Sequence, residues 1–259
     1  MLEPKRLLDL PNAVNLRELG GYPTVDGRHI HYRKALRSGA LALLTPADAQ
    51  ALADYGWRTD IDLRSASEVS GAPDVLAPSV TYHHLPVYPF ADQPSLGHKV
   101  VRHLMALVDH RIDPMAETYL RMFTDTGANQ TFAQVFALLL ANDQPDQAVL
   151  FHCAAGKDRT GVAAMMLEGA LGVPEPLIRE DYLLTNVVFA APTAQIESAL
   201  RSPNSTLVDD MNAHAAEAQC YLAVQDLIAR EYGGWSGYAK QALGLSAGEL
   251  TDLRNLYLA

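Results

Sequence analysis

The stretch "FHCAAGKDRTG", residues 151–161, sets a thiol, two cations, a carboxylate and two glycines in one short run. Before it, "QAVLFHC" is short and apolar, as expected for the covered central strand of a sheet. After it, "TGVAAMMLEGALG" is rich in helix formers and stops at Gly172 ahead of Pro174. The order predicts strand, loop and helix. At such a helix N-terminus the first backbone N–H groups lack intrahelical acceptors and the helix dipole adds partial positive charge. The loop is therefore a cradle for an anion, phosphate above all.

Within the loop, Ala154, Ala155 and Gly156 are small enough for the chain to curl around a ligand, and Gly156 permits backbone angles that other residues resist. Arg159 supplies a planar fork of donors matched to two phosphate oxygens. Cys153 stands at the mouth of the same electropositive loop, a setting that favours the thiolate. Lys157 adds an ammonium, which either meets a second phosphate on a polyanionic substrate or balances local charge. A thiolate and an arginine clamp together imply two displacements at phosphorus through a phosphocysteine. No metal and no cofactor are expected, because loop and arginine neutralise the equatorial oxygens.

Upstream, "LTPADAQALADYGW" predicts a helix with Thr45 as N-cap, Pro46 at its first position and Gly56 as its stop. "RTDIDLRS" follows as a strand running into a loop and "SVTYHHLPV" as another strand, and Asp26-Gly27 marks a tight turn upstream. The rhythm is β-α-β. Residues 88–114 carry little pattern and are expected to form a lid or insertion. Downstream everything reads as helix, including "DDMNAHAAEAQCYLAVQDLIAREYGG" and a last helix with Ser246 and Glu249 in capping-box spacing. One domain over 1–259 is expected, α/β in front and helical behind.

The whole chain narrows the function classes. Its 259 residues are 49% hydrophobic and carry a formal charge of −10, which argues against nucleic acid or an anionic membrane as a partner. No stretch approaches a membrane span and the N-terminus lacks a cleavable apolar leader, so no stable membrane insertion is expected. Two cysteines, Cys153 and Cys220, are too few for a disulfide framework. A cytoplasmic protein, or one secreted without a classical signal peptide, is expected.

The run "HCAAGKDRT" resembles the signature of the cysteine-dependent protein tyrosine phosphatases: His-Cys, five residues, Arg, then a hydroxyl residue. With "NLRELGGY", "RSGAL", "IDLRSASEV", "EDYLLTN" and "YLAVQDLIAREYGGWSGYAKQALGLS", the chain resembles a bacterial tyrosine/serine phosphatase branch over most of its length, least from Tyr88 to Thr131. The resemblance implies a tyrosine phosphatase-like α/β fold: a mostly parallel sheet flanked by helices, Cys153 at the C-terminal end of a central strand, and a helical lid. It implies Cys153 as nucleophile, Arg159 as phosphate binder and Thr160 as the hydroxyl that steadies the thiolate or assists its departure. The implied partner is a phosphorylated protein or peptide bearing phosphotyrosine, and phosphoserine or phosphothreonine beside it. A phosphoinositide is the alternative substrate, and a non-catalytic phosphate-binding module the alternative function.

The proton donor to the leaving group is less determined. The wider family places an aspartate on a loop upstream, and the "WPD" version is absent here. Asp92, Asp113 and Asp125 lie in that region, while Asp158 lies inside the loop and is shared with the branch; Asp158 is favoured as donor or organiser, with a helix N-cap as its structural alternative. His152 is expected to orient the cysteine. Asp62 and Arg64 resemble a family motif beside the catalytic loop, and a strand-end salt bridge explains them equally well. His83 and His84 point to opposite faces of a strand and have no third ligand at metal-binding spacing.

Overall fold

The computed structural model describes residues 2–88, 90, 114–189 and 215–259. Five strands form one sheet in the order β1-β2-β5-β3-β4. They are β1 (Arg17–Glu18), β2 (Ala35–Ser38), β3 (Trp57–Asp62), β4 (Thr81–His84) and β5 (Ala148–His152). Only the β1–β2 pair is antiparallel; β2, β5, β3 and β4 run parallel. The expected mostly parallel sheet flanked by helices is what the chain forms.

Every residue of β5 is buried, the signature of a strand covered on both faces. Its side chains alternate between two cores, as strand geometry requires. Ala148 and Leu150 join Leu36, Leu52 and Trp57 under helix α1 (Pro46–Tyr55), while Val149 and Phe151 join Ile61 and Leu167 on the opposite face. At the upper edge Ser38, His152 and Asp62 are in register. The chain that follows each of them therefore leaves the carboxyl end of a parallel strand at the same level, where ligand sites of open α/β sheets lie.

The helix following the loop, α5 (Arg159–Leu171), is buried on all sides and ends at Gly172 in the left-handed conformation (φ 88°), as its sequence predicts. Around it stand α3 (Pro114–Thr124), α4 (Thr126–Ala141), α6 (Glu175–Phe189), α7 (Ala218–Tyr232), α8 (Trp235–Gln241) and α9 (Ala247–Tyr257). Thr45 and Ser246 cap α1 and α9 through complete capping boxes.

Two expectations need correction. A six-residue helix, α2 (Ala66–Gly71), follows β3 where a loop was expected. The long helix begins at Ala218, not in the alanine-rich run before it. The Asn186 side chain bonds both the N–H and the C=O of Ala216 at 2.8 Å and holds the chain extended there, so tertiary contacts override helix propensity. The lid expected over 88–114 and the acid candidates Asp92 and Asp113 lie outside the described residues, apart from the ends of that segment. Among the described residues no helix is long and apolar enough to cross a membrane.

Candidate active site

The loop from Cys153 to Asp158 turns its carbonyls outward, and each has a specific partner. Ala154 O accepts from Ala40 N–H (2.9 Å), Ala155 O from Asn15 Nδ2 (3.2 Å), and Gly156 O from Asn15 Nδ2 (3.0 Å) and Arg37 Nη2 (2.8 Å). The carbonyls of Lys157 and Asp158 enter the helix ladder through Gly161 and Val162 N–H. In a planar trans peptide the N–H of the next residue points opposite to the carbonyl. The amides of Ala155 to Arg159 consequently face the interior of the loop, a nest of donors at a helix N-terminus.

Gly156 is required twice over. Its φ is +68°, and a Cβ there would lie 2.5 Å from the backbone of both Ser38 and Gly39. The loop can thus curl only by resting on the strand-end turn after β2.

Arg159, the first residue of α5, is 1% exposed and locked by Glu68 of α2: Nη1 and Nη2 each donate to one carboxylate oxygen at 2.8 Å. Glu68 is itself fixed, because Oε2 also accepts from Ser65 N–H and Ser65 Oγ, both at 2.8 Å, as the capping box of α2. The fork uses the far end of the guanidinium. Arg159 Nε, buried, has no hydrogen-bond partner among the described residues, and neither has the Thr160 hydroxyl. Burial works against the Arg159 charge, and the nearby Cys153 and Glu68 charges more than offset it, raising the guanidinium above its ordinary value. The Tyr88 ring lies over Arg159 at 5.3 Å.

Asp158 occupies the N-cap position of α5, yet its carboxylate makes no cap hydrogen bond. It turns instead to Tyr119 of α3, whose hydroxyl donates to Oδ1 at 2.5 Å, while Oδ2 lies 3.7 Å from Lys157 Nζ. Burial raises the Asp158 carboxyl above the ordinary aspartate range, against the opposing pull of Lys157 and Tyr119. Lys157 is buried beside it at 2% exposure.

A nest of amides, a buried thiol and a fixed guanidinium thus meet at one strand end. The tyrosine phosphatase family model matches residues 8–259. The chain belongs to the tyrosine phosphatase family. It is 33% identical over 226 residues to a tyrosine-protein phosphatase of Nostoc commune, covering 85% of this chain and 72% of that protein. It is 27% identical to the triple specificity protein phosphatase PtpB of Mycobacterium tuberculosis, covering 96% of this chain and 98% of that one.

In this phosphatase-family chain the motifs quoted from the N-terminal and central sequence gather behind the loop. Asp181, buried in α6, holds Arg17 through Nε (2.9 Å) and Arg37 through Nη1 (2.5 Å). Arg17 in turn bonds the Asn15 side chain, so one carboxylate fixes both groups that tether the loop carbonyls. Burial opposes the Asp181 charge, and the two arginines outweigh it and keep the carboxyl below its ordinary range.

Beneath Cys153, His152 Nδ1 faces Cys153 O at 3.3 Å and Nε2 lies 3.4 Å from both Asp60 and Asp74. Arg64 grips Asp62 through Nε and Nη2 (2.9 and 2.7 Å) and Asp74 through Nη2 (2.6 Å), a salt bridge at the end of β3. Asp60, Asp74 and His152 bring three ligand-type atoms within 4.8 Å of one another, but Arg64 already takes the Asp74 oxygen that faces the histidine. Burial disfavours the imidazolium, and Asp74, Asp60 and Asp62 outweigh it, raising His152 well above its ordinary value. Burial pushes Asp60 up to about 6.

The structure thus brings together Cys153, Ala154, Ala155, Gly156, Lys157, Asp158, Arg159 and Thr160, with His152, Asp62 and Arg64 behind them. Asp125 is taken up as the N-cap of α4, accepting from Ala128 N–H at 2.9 Å. His84 Nε2 pairs with Arg64 O at 2.8 Å. Cys220 is fully buried in the core. Sequence reasoning missed Glu68, the loop tethers Asn15 and Arg37, their anchor Asp181, and Tyr119. The Ser65-to-Glu68 capping-box spacing was a visible signal of the short helix, though not of its partner.

Proposed function

We propose that this protein hydrolyses phosphate monoesters, phosphotyrosine first among them, through a phosphocysteine intermediate. One observation carries the reading: every carbonyl from Ala154 to Asp158 is tied to a partner, while Arg159 is held end-on by Glu68 with its buried Nε–H left unpaired among the described residues. Donors fixed before the ligand arrives stabilise the charge of a transferring phosphoryl group without reorganisation.

Cys153 Sγ attacks phosphorus as the thiolate, the P–O ester bond breaks, and the leaving oxygen takes a proton from Asp158. Water then attacks the phosphocysteine, returns a proton to Asp158 and releases phosphate, with Thr160 donating toward the departing sulfur. Asp158 suits the role because burial favours its protonated form beside the loop.

The test is phosphate release from a phosphotyrosine peptide, a phosphoserine peptide and a soluble phosphoinositide, in the presence of chelator, for wild type and Cys153→Ser. Chelator-resistant release lost in the variant supports the cysteine mechanism. The ranking of substrates decides between a protein phosphatase and the lipid alternative suggested by Lys157. Phosphate binding without release from any substrate would replace the proposal with a binding module.

A further inference from the structure

Asp158 stands at one end of a line of hydroxyls. Glu217 N–H, at the start of α7, donates to Tyr182 Oη (3.2 Å); Tyr182 O–H donates to Tyr119 Oη (3.0 Å); Tyr119 O–H donates to Asp158 Oδ1 (2.5 Å). Both tyrosines are fully buried and their rings pack edge to face at 5.8 Å. A backbone amide can only donate, and a phenol has a single hydrogen. Glu217 N–H fills one acceptor site of Tyr182, and with each phenol donating toward Asp158 the last hydrogen of the line is delivered to Oδ1.

We infer that Tyr119, backed by Tyr182, is a positioning residue that keeps Asp158 Oδ1 an acceptor, so that the transferable proton resides on Oδ2. This rests on the reading of Asp158 as proton donor. With Oδ1 engaged, a proton placed there would face the Tyr119 hydrogen. On Oδ2 it meets only the 3.7 Å approach of Lys157 Nζ, a much longer contact than the 2.5 Å bond at Oδ1. The line also orients the carboxyl plane, since two α-helices, α3 and α6, and the first turn of α7 hold its far end.

Among the described residues, the charged and titratable groups facing Asp158 include Lys157 and Arg159 from its own loop, Tyr119 from α3, Tyr182 from α6 and Tyr88 from the chain after β4. Tyr119 stabilises the ionised carboxylate by donating to it. Its removal lets the carboxyl hold its proton to higher pH. The sign is therefore specific: a donor that must be protonated loses activity on the basic side at its pKa, and Tyr119→Phe moves that limb upward.

The experiment measures kcat/KM against pH for phenyl phosphate, whose poor leaving group needs the proton, in wild type, Tyr119→Phe, Tyr182→Phe and Asp158→Asn. Expected are a basic limb displaced upward by about 0.5 to 1 pH unit in Tyr119→Phe, a smaller displacement the same way in Tyr182→Phe, and no limb of this origin in Asp158→Asn. A Tyr119→Phe limb that coincides with wild type, while Asp158→Asn abolishes it, overturns the relay and leaves the donor assignment standing. A limb retained in Asp158→Asn overturns the assignment, and the inference with it. Thermal melting accompanies each variant; if Tyr119→Phe does not fold, Tyr182→Phe decides by the same displacement.

Discussion

Replacing Glu68 with glutamine probes the assembly of the site most directly. In the wild type, Oε1 takes Arg159 Nη2 and Oε2 takes Arg159 Nη1 together with the Ser65 cap, every contact at 2.8 Å. A glutamine keeps one carbonyl oxygen for the three-way acceptor position and sets an NH2 against Nη2, donor facing donor. It also leaves the Arg159 charge buried at 1% exposure without its counter-ion. Breaking one side of a buried ion pair costs about 3–5 kcal/mol, and the retained cap places this variant near 3 kcal/mol. For a chain of this size that is a fall in Tm of roughly 6–12 °C. With the guanidinium free to swing, kcat/KM falls by about 10²-fold, or roughly 2.7 kcal/mol.

The pH dependence fixes the cause. Burial raises the Glu68 carboxyl and the Arg159 hydrogen bonds and charge outweigh it, so the folded-state value lies below the ordinary 4.5. A depressed carboxyl contributes stability that is complete above its unfolded value and is lost as pH falls through the folded one. The Tm gap between wild type and Glu68→Gln should therefore be widest near pH 7 and close below pH 4.5. Differential scanning calorimetry from pH 3 to 8, with initial rates on p-nitrophenyl phosphate, measures both quantities. A variant within about 2 °C of wild type at pH 7 and within threefold in kcat/KM refutes the argument, as does a gap that does not narrow in acid.

Cys153→Ser should abolish phosphate release while retaining phosphate binding by calorimetry, since the nest and Arg159 are untouched. Gly156→Ala forces φ +68° on a side chain whose Cβ lies 2.5 Å from two backbone segments, so a loss of more than ~3 kcal/mol and of phosphate binding is expected in denaturant titration and calorimetry. Asp181→Asn strands two buried arginines and should cost about 3–5 kcal/mol, with KM for aryl phosphates rising as the carbonyl tethers loosen. Asp60→Asn bears on the buried cluster: a carboxyl raised to about 6 makes wild-type stability fall as pH rises from its unfolded value to that point. The asparagine variant should lack that component in chemical denaturation at pH 4, 5 and 6, and a parallel profile would contradict it.

What the sequence made legible was local. The loop, its flanking strand and helix, and the capping boxes at Thr45 and Ser246 each lie within a dozen residues, where spacing translates directly into geometry. Glu68 escaped because its partner is 91 positions away and its visible spacing advertised only a cap. Asn15, Arg17, Arg37 and Asp181 were recognisable as pieces of family motifs, but nothing in their order says that one carboxylate gathers the two arginines from 164 and 144 positions away. Asp158 was ambiguous for a physical reason. A carboxylate just before a helix reads as a cap unless a phenol from another helix claims it, and the phenol belongs to a segment whose periodicity announces only core.

Helix α2 has a meaning beyond the site it borders. Six residues are too few to form a helix alone in water, where the first turn is entropically unfavourable and only a few bonds follow it. The N3 residue of its capping box, Glu68, is also the residue clamped by Arg159, so winding of α2 and fixation of Arg159 form one cooperative unit of local folding. Amide exchange in residues 66–71 becomes a reporter of the occupied state: an anion on Arg159 slows exchange in a helix it never touches, and a loosened α2 switches off the arginine without unfolding the sheet.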